Sequence, residues 1–360
     1  MPMKKNVLGN RPLGKIILTI ILVVIIISVV TVIINVFKNR GVGFKEDYSV
    51  AVIDTQSSIN SSELIYYDKD FNKVFSQKID AGGIYSDSIV EFEDKIYAAP
   101  GGEWFDENCE YILEIDKETG RHHKYNTNRK APVSIGVSDN NIVVIYYSGK
   151  DSILLKIDRK TEKITEKKFE NILFDRVNVV QDKIYCFNSK DNLNSAGCTI
   201  LDMENMNRVK NIEFADDEIS YTFIKNDIIY MASAYADSYD RSYLHMYNID
   251  SESMETLDLG EGSVNQITDY GNYLVITDVM KYKTDKNEVI ICNLDDNSIF
   301  KCTVDSVPEY CVVHGDSVYL MDSSKNTIDI YKLNVSDSKL ELLDSHVIKH
   351  KNSLGGFFVK

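Results

Sequence analysis

The chain has 360 residues, 44% of them hydrophobic and 26% charged, a globular composition that excludes a disordered or collagen-like polypeptide. Its formal charge of −15 is uneven: residues 1–47 carry Lys4, Lys5, Arg11, Lys15, Lys38, Arg40 and Lys45 against Glu46 and Asp47, so this stretch is +5 and the other 313 residues are −20. So acidic a body excludes nucleic acid as a partner, because that binding is driven by basic groups neutralising phosphates.

Residues 1–15 form a short basic tail. Ile16 to Phe37, IILTIILVVIIISVVTVIINVF, are 22 consecutive uncharged positions. As a helix they would measure about 33 Å at ~1.5 Å per residue, enough for a hydrocarbon core of ~30 Å. The competing reading is a cleaved signal peptide, whose apolar region is usually ~7 to 15 residues and ends at a small-x-small site. NVFKNRGVGFKED supplies no such site, so the expectation is an uncleaved signal-anchor over 16–37. Four basic residues precede the span and three follow it, which places the N-terminus in the cytoplasm. Residues 38–47 are then a short linker, and 48–360 lie outside the cytoplasm.

From residue 48 onward two strand signals alternate. The first is an aliphatic-Tyr strand after a turn residue, as in Asp94-Lys95-Ile96-Tyr97 and Asp182-Lys183-Ile184-Tyr185. Its turn residues, Asp94, Asn140, Asp182, Asp227, Gly271 and Asp316, are spaced by 46, 42, 45, 44 and 45. The second is an alternating strand ending in Asp, a polar turn and a further strand, as in ILEIDKETGRHHKY, LLKIDRKTEKITEK and HMYNIDSESMETLDL. Its anchors are Asp68, Asp116, Asp158, Asp202, Asp250, Asp295 and Asn334. Such side chains bond to local backbone and accept turn conformations, which explains their recurrence without chemistry. Ile-, Val- and Tyr-rich runs punctuated in this way predict an all-β fold. Seven repeats of about 44 residues make it a seven-bladed propeller, with no room for a second domain and no helix longer than one turn. The first repeat opens on SVAVID, a second strand lacking a first; Gly356 to Lys360, with Phe357 and Phe358, are expected to supply that strand from the other end of the chain.

These repeats resemble the YVTN and quinoprotein-like propeller superfamily, whose blades carry a D-x-I/L-Y strand and then x-I-D-x-x-T-G-K. IDKETGR at 115–121 matches best and IDRKTEK at 157–163 nearly so. The resemblance covers about residues 50–346 and implies architecture, in a membrane-anchored bacterial member. It carries no activity, because function sits on loops grafted to a shared scaffold. Quinone-cofactor propellers and WD repeats place a Trp in most blades, and this chain has one Trp in all.

No G-x-S-x-G motif occurs, which argues against a fused hydrolase. His122 and His123 are adjacent in a strand and point to opposite faces, and the other four His are scattered, so no His-based metal site is expected. Asp68-Lys69-Asp70-Phe71-Asn72 begins like a calcium loop, but Lys73 stands where Gly is needed and Ile79 where Glu is needed. No cofactor is expected, and calcium enters only through a dense carboxylate set, Asp216, Asp217, Glu218, Asp237 and Asp240, for which a solvated face is the simpler account. Of six cysteines, Cys186/Cys198, on neighbouring strands, and Cys292/Cys302, across a hairpin centred on Asn297, are the pairs that could be bridged, the alternative being buried thiols.

If each blade runs from an inner strand A to an outer strand D, the A–B and C–D connections are tight. The B–C connections are long and polar: APGGEWFDENCE, FNSKDNLNSAG, ASAYADSYDRS and ITDVMKYKTDKNE. Trp104, Phe105, Tyr235, Tyr239, Arg241 and Tyr282 lie in them, and Trp, Tyr and Arg are the types that dominate binding hot spots. The expectation is a non-enzymatic extracytoplasmic module that binds a protein, peptide or cell-envelope component through the B–C and D–A loops. The alternative is a calcium-dependent propeller lyase or lactonase acting on sugars. A third reading, a part of a larger envelope complex, would show as an apolar patch on one blade edge.

Overall fold

The structure, a computed structural model, describes Ile21, Val23, Val24 and Ile26 and residues 47–360, except 57–60, 86–87, 102–108, 189–195, 214–217, 235–240 and 279–286. The span read at 16–37 lies outside the described residues apart from those four, whose backbone is helical. Among the described residues no helix is long and apolar enough to cross a membrane.

The body is seven four-stranded antiparallel sheets. In chain order, β1 (Val50–Thr55), β2 (Ser62–Tyr67) and β3 (Lys73–Ile79) belong to blade one. Blade two is β4 (Ile89–Phe92), β5 (Lys95–Ala98), β6 (Tyr111–Asp116) and β7 (His122–Asn126). Blade three is β8 (Pro132–Val137), β9 (Asn141–Ser148), β10 (Asp151–Asp158) and β11 (Ile164–Phe169). Blade four is β12 (Arg176–Val180), β13 (Lys183–Asn188), β14 (Gly197–Asp202) and β15 (Arg208–Glu213). Blade five is β16 (Glu218–Lys225), β17 (Ile228–Ala234), β18 (Ser242–Asn248) and β19 (Met254–Gly260). Blade six is β20 (Val264–Tyr270), β21 (Tyr273–Asp278), β22 (Asn287–Asn293) and β23 (Ile299–Val304). Blade seven is β24 (Tyr310–His314), β25 (Ser317–Asp322), β26 (Thr327–Asn334) and β27 (Lys339–Val347), and β28 (Ser353–Val359) returns to blade one in the order β28-β1-β2-β3.

First strands of successive blades touch, from β4 with β8 round to β24 with β28, and so surround an axis. Successive side chains on a strand point to opposite faces, and here both faces are buried between blades. Ala51 and Ile53 pack toward blade two, while Val50 and Val52 pack toward blade seven. Val143 and Ile145 of β9 face blade four, while Ile142, Val144 and Tyr146 face blade two. One apolar cluster fills each of the seven junctions. This is why the middle strands read as unbroken aliphatic runs.

The same alternation corrects the cysteine expectation. All six cysteines are free and buried. Cys186 stands opposite Thr199 and Cys198 opposite Phe187, so the two sulfurs leave the sheet on opposite sides, into different junctions. In blade six Cys292 faces Ile299 and Cys302 faces Val289, again on opposite sides. That hairpin is centred between Asp295 and Asp296 rather than on Asn297, which moves the thiols out of register.

The turn anchors also shift in two blades. Asp116 Oδ1 accepts the Thr119 N–H at 2.8 Å and hydroxyl at 2.7 Å, and Asp158 repeats this with Thr161 at 2.7 and 2.8 Å. In blades five and six the equivalent side chains are Asn248, accepting from Ser251 N–H at 2.8 Å, and Asn293, accepting from Asp295 N–H at 3.0 Å. Asp250 and Asp295 lie two residues further on. In blades two to six the C–D turn is tied to the A–B turn of its own blade by a backbone bond, from Lys117 to Asp94, Arg159 to Asn140, Met203 to Asp182, Ile249 to Asp227 and Leu294 to Asn272, all at 2.8–3.0 Å.

The ring closes as expected from the sequence. Val359, Phe358 and Phe357 pair with Val50, Ala51 and Val52. Phe357 enters the junction with blade seven and Phe358 the junction with blade two. Gly355 passes so close to blade two that a Cβ there would stand 2.0 Å from the Ile84 carbonyl oxygen.

Removing residues 353–360 should lower the melting temperature markedly or yield insoluble protein, because it opens an edge and takes Phe358 from one junction and Leu354, Phe357 and Val359 from the other. Gly355→Ala should destabilise by about 1–3 kcal/mol, as overpacking does. Thermal melts decide both, and an unchanged melt in either variant contradicts the closure described.

Candidate functional site

The inner strands β4, β8, β12, β16, β20 and β24 enclose a cavity of about 790 Å³, within the ~300–1,000 Å³ of small-molecule sites. On β8, β12, β16 and β20 its lining begins three or four residues into the strand, at Ile135, Asn178, Tyr221 and Gln266, and continues to the A–B turns at Ser138–Asn141, Gln181 and Asp269. The cavity therefore belongs to the A–B turn half of the axis. Above it Gln266 bridges β20 to β24, accepting the Cys311 N–H at 2.7 Å and donating to the Cys311 carbonyl at 2.9 Å. Tyr310 meets Phe357 edge-on at 5.5 Å.

At the mouth Glu91 pairs with Lys117, Asp269 with Lys225 at 2.6 Å, and Arg159 donates to the carbonyls of Ser138 at 2.9 Å and Asp139 at 3.0 Å. Beside it, between blades two and three, the Glu114 carboxylate accepts from Tyr97 at 2.8 Å and Tyr125 at 2.9 Å, with Arg159 at 3.8 Å. Burial and this carboxylate push both phenols above their ordinary range. The group latches two blades, and its polar atoms are already engaged.

The opposite face carries a device that the sequence reading missed. Three second strands end in a fully buried carboxylate, Asp54, Asp278 and Asp322, each capping the D–A connection that crosses above it. Asp54 accepts the N–H groups of Lys351 at 2.7 Å and Asn352 at 3.0 Å. Asp322 accepts Val307 N–H at 2.9 Å, Lys325 N–H at 3.0 Å and the Ser324 hydroxyl at 2.5 Å. Burial alone would raise its pKa, but these bonds prevail and hold it below the usual carboxylate range. Asp278 accepts Ser263 N–H at 2.7 Å through one oxygen, and its other oxygen has no partner among the described residues. It packs against Gly262, at φ +146°, where a Cβ would lie 1.8 Å from that oxygen. Burial pushes Asp278 up to about 6, against the Ser263 bond and the charge of Lys301. The signal for these positions was present as VIDT, VITD and LMDS, each an aliphatic strand closed by Asp or Thr-Asp.

The B–C connections of blades two, four, five and six are long and leave from this same face, whereas blades three and seven turn in two and four residues there. Trp104, Phe105, Tyr235, Tyr239 and Tyr282 lie outside the described residues, as do Asp216, Asp217, Asp237 and Asp240. Of Glu218 only the backbone is described, opening β16 opposite Ala234. Arg241 is the one predicted contact residue described: its side chain is largely exposed and stands 3.7 Å from Asp258. Among the described residues no group of three or more His, Cys, Asp and Glu could hold a metal ion. His122 and His123 face opposite ways as expected, His123 pairing with Glu162 at 3.2 Å. Asp68 caps a plain hairpin turn through the N–H groups of Asp70 at 2.9 Å and Asn72 at 2.8 Å. On the rim, Leu342, Leu343 and Val347 of the outer strand β27 are exposed, Leu343 at a bulge in the register with β26.

No protein-family model and no curated protein matches the chain. Solved structures do match in fold. A Bacteroides uniformis protein provisionally named a 6-phosphogluconolactonase superposes with a TM-score of 0.62 at 14% identity, over 88% of this chain and 100% of that one. A Bacteroides fragilis protein with the same provisional name gives 0.62 at 12%, over 88% and 98%. A chain of a mitotic checkpoint complex gives 0.58 at 10%, over 77% and 82%. At such identities the likeness establishes the seven-bladed propeller architecture alone.

The Asp278 geometry makes a pH prediction. Its folded pKa of about 6 exceeds its ordinary 3.8, so the stability it contributes is complete below about pH 4 and is lost as pH rises through 6. Asp278→Asn keeps the acceptor for Ser263 and removes the buried charge. It should raise stability at pH 7.5 by up to about 3 kcal/mol, the gain vanishing near pH 4. Denaturant unfolding at the two pH values checks this, and an equal gain at both, or a loss at pH 7.5, contradicts it.

Proposed function

We propose that the protein is a membrane-tethered extracytoplasmic propeller that binds a protein, peptide or cell-envelope component through its B–C and D–A loops and does no chemistry. The observation that carries this is the asymmetry of the two faces: every long connection leaves from one face, on a scaffold whose other connections are tight turns. Loops held by a rigid scaffold are where binding residues gather. The state of the polar groups supports it further, since Glu91 and Asp269 at the cavity mouth are paired with lysines and, among the described residues, the one carboxylate with weakened acidity is sealed in the protein. The tether rests on the 22 uncharged residues at 16–37. The YVTN-like repeat at 115–121 fits this reading without specifying a ligand.

A propeller lactonase is the second reading, favoured by the provisional name shared by the two Bacteroides structures. A calcium-dependent form would draw on the carboxylates at 216–218, 237 and 240.

Cross-linking on intact membranes, followed by affinity purification and mass spectrometry, should recover one partner whose capture depends on the loop face. Trp104→Ala should weaken that partner by about 2 kcal/mol, roughly thirtyfold in Kd, with the melt unchanged. Catalytic turnover of a sugar lactone by purified protein, with or without calcium, would overturn the binding reading. A melt lowered by many degrees in Trp104→Ala would make that residue a structural plug instead.

A further inference from the structure

The place where the chain joins the propeller defines which face can meet a partner. β1 is a second strand, so it starts at the level of the A–B turns. Tyr48 is fixed at that level by a hydrogen bond from its hydroxyl to the Lys117 carbonyl, and Ser49 N–H bonds to Tyr67 O at 2.8 Å. The C-terminus arrives at the same level: Lys360 N–H bonds to Ser49 O at 2.9 Å, and its ammonium lies 3.3 Å from Glu118. The body therefore hangs from its short-turn face, which is also the half of the axis that holds the central cavity.

Only residues 38–47 separate Tyr48 from the apolar run. Ten residues reach at most about 36 Å when fully extended. To bring the loop face to the bilayer, the tether would have to pass outward over β2 and β3, about 10 Å at ~4.8 Å per strand, and then climb a strand of about 20 Å. A headgroup layer of roughly 6 Å and the side chains on the rim consume what remains. The loop face is thus out of reach of the lipid. The short-turn face does not adhere to lipid either, because it is net acidic: its A–B turns carry Glu93, Asp94, Asp139, Asp182, Asp227 and Asp316 without Lys or Arg, and its C–D turns set ten carboxylates against Lys69, Lys117, Arg121, Arg159, Lys160 and Lys163. Anionic headgroups repel such a surface over about a Debye length, ~8–10 Å.

We propose that the propeller stands on the membrane with its short-turn face and cavity mouth toward the bilayer and its B–C loop face turned away from the lipid, toward the aqueous phase. This rests on the membrane-tethered reading above, and the test separates the two.

Lys150 and Lys160 are both exposed and flank β10 in one blade, Lys150 at the loop face and Lys160 at the turn face. Because all six native cysteines are buried, Lys150→Cys or Lys160→Cys offers a single accessible thiol for a fluorophore. Full-length chain reconstituted into vesicles of phosphatidylcholine with phosphatidylglycerol, carrying a headgroup-linked acceptor, reports the height of each label. Protein should float with the vesicles, and energy transfer should be at least about twofold more efficient from position 160 than from 150, as a separation of one strand length requires. Floating protein with equal or reversed transfer overturns the orientation while leaving the tether intact. Protein that stays at the bottom of the gradient overturns the tether, and the orientation with it.

Discussion

The ring depends on one antiparallel pairing, that of β28 with β1. Without it, blade one would present an unsatisfied edge on the central axis, and the clusters on either side of it would lose Phe357 and Phe358. Because every junction is filled by side chains from both of its blades, loosening one junction loosens the ring. The pairing also holds both ends of the described body on one face, since the last first-strand must run toward the A–B turns and the first second-strand must leave from them. Stability and the placement of both ends of the body thus follow from the same strand.

The two faces are built by different rules. On the short-turn face the blades repeat one arrangement, an Asp or Asn folded onto its own turn and, in blades two to six, a backbone bond from that turn to its neighbour, which leaves little surface free to vary. On the other face the crossing connections are held by carboxylates at the ends of second strands, and these are not equivalent. Asp54 and Asp322 are saturated with donors, whereas Asp278 has one donor and a burial cost that remains uncompensated at neutral pH. Such a residue weakens the fold locally, beside a long connection, on the face proposed for binding.

Much of the architecture was legible because it is repetitive. Asp94-Lys95-Ile96-Tyr97 and its relatives mark an A–B turn and second strand in blade after blade, and the missing first strand before SVAVID pointed to the tail as its source. What failed were details that depend on register. Asp250 and Asp295 read as anchors in the sequence, yet Asn248 and Asn293, two residues earlier, are the side chains that accept the turn N–H groups. The Cys292/Cys302 pair depended on locating a hairpin centre to the residue, and a shift of one and a half positions sends the thiols to opposite sides, while Cys186 and Cys198 stand one register position apart on neighbouring strands. The cavity could not be read at all, since its lining is drawn a few residues at a time from six separate inner strands. The contact residues rested on residue type and loop length, which do not fix where a side chain points.

Native-state hydrogen exchange addresses the closure most directly. If β28 is an integral blade strand, the amides of Phe357, Phe358 and Val359 exchange only through global unfolding, with the same free energy and denaturant dependence as those of the middle strands β9 and β25. Exchange of the 353–359 segment at a distinctly lower free energy, while β1 and β2 keep full protection, would show that the tail is an accessory strand and that the ring does not depend on it.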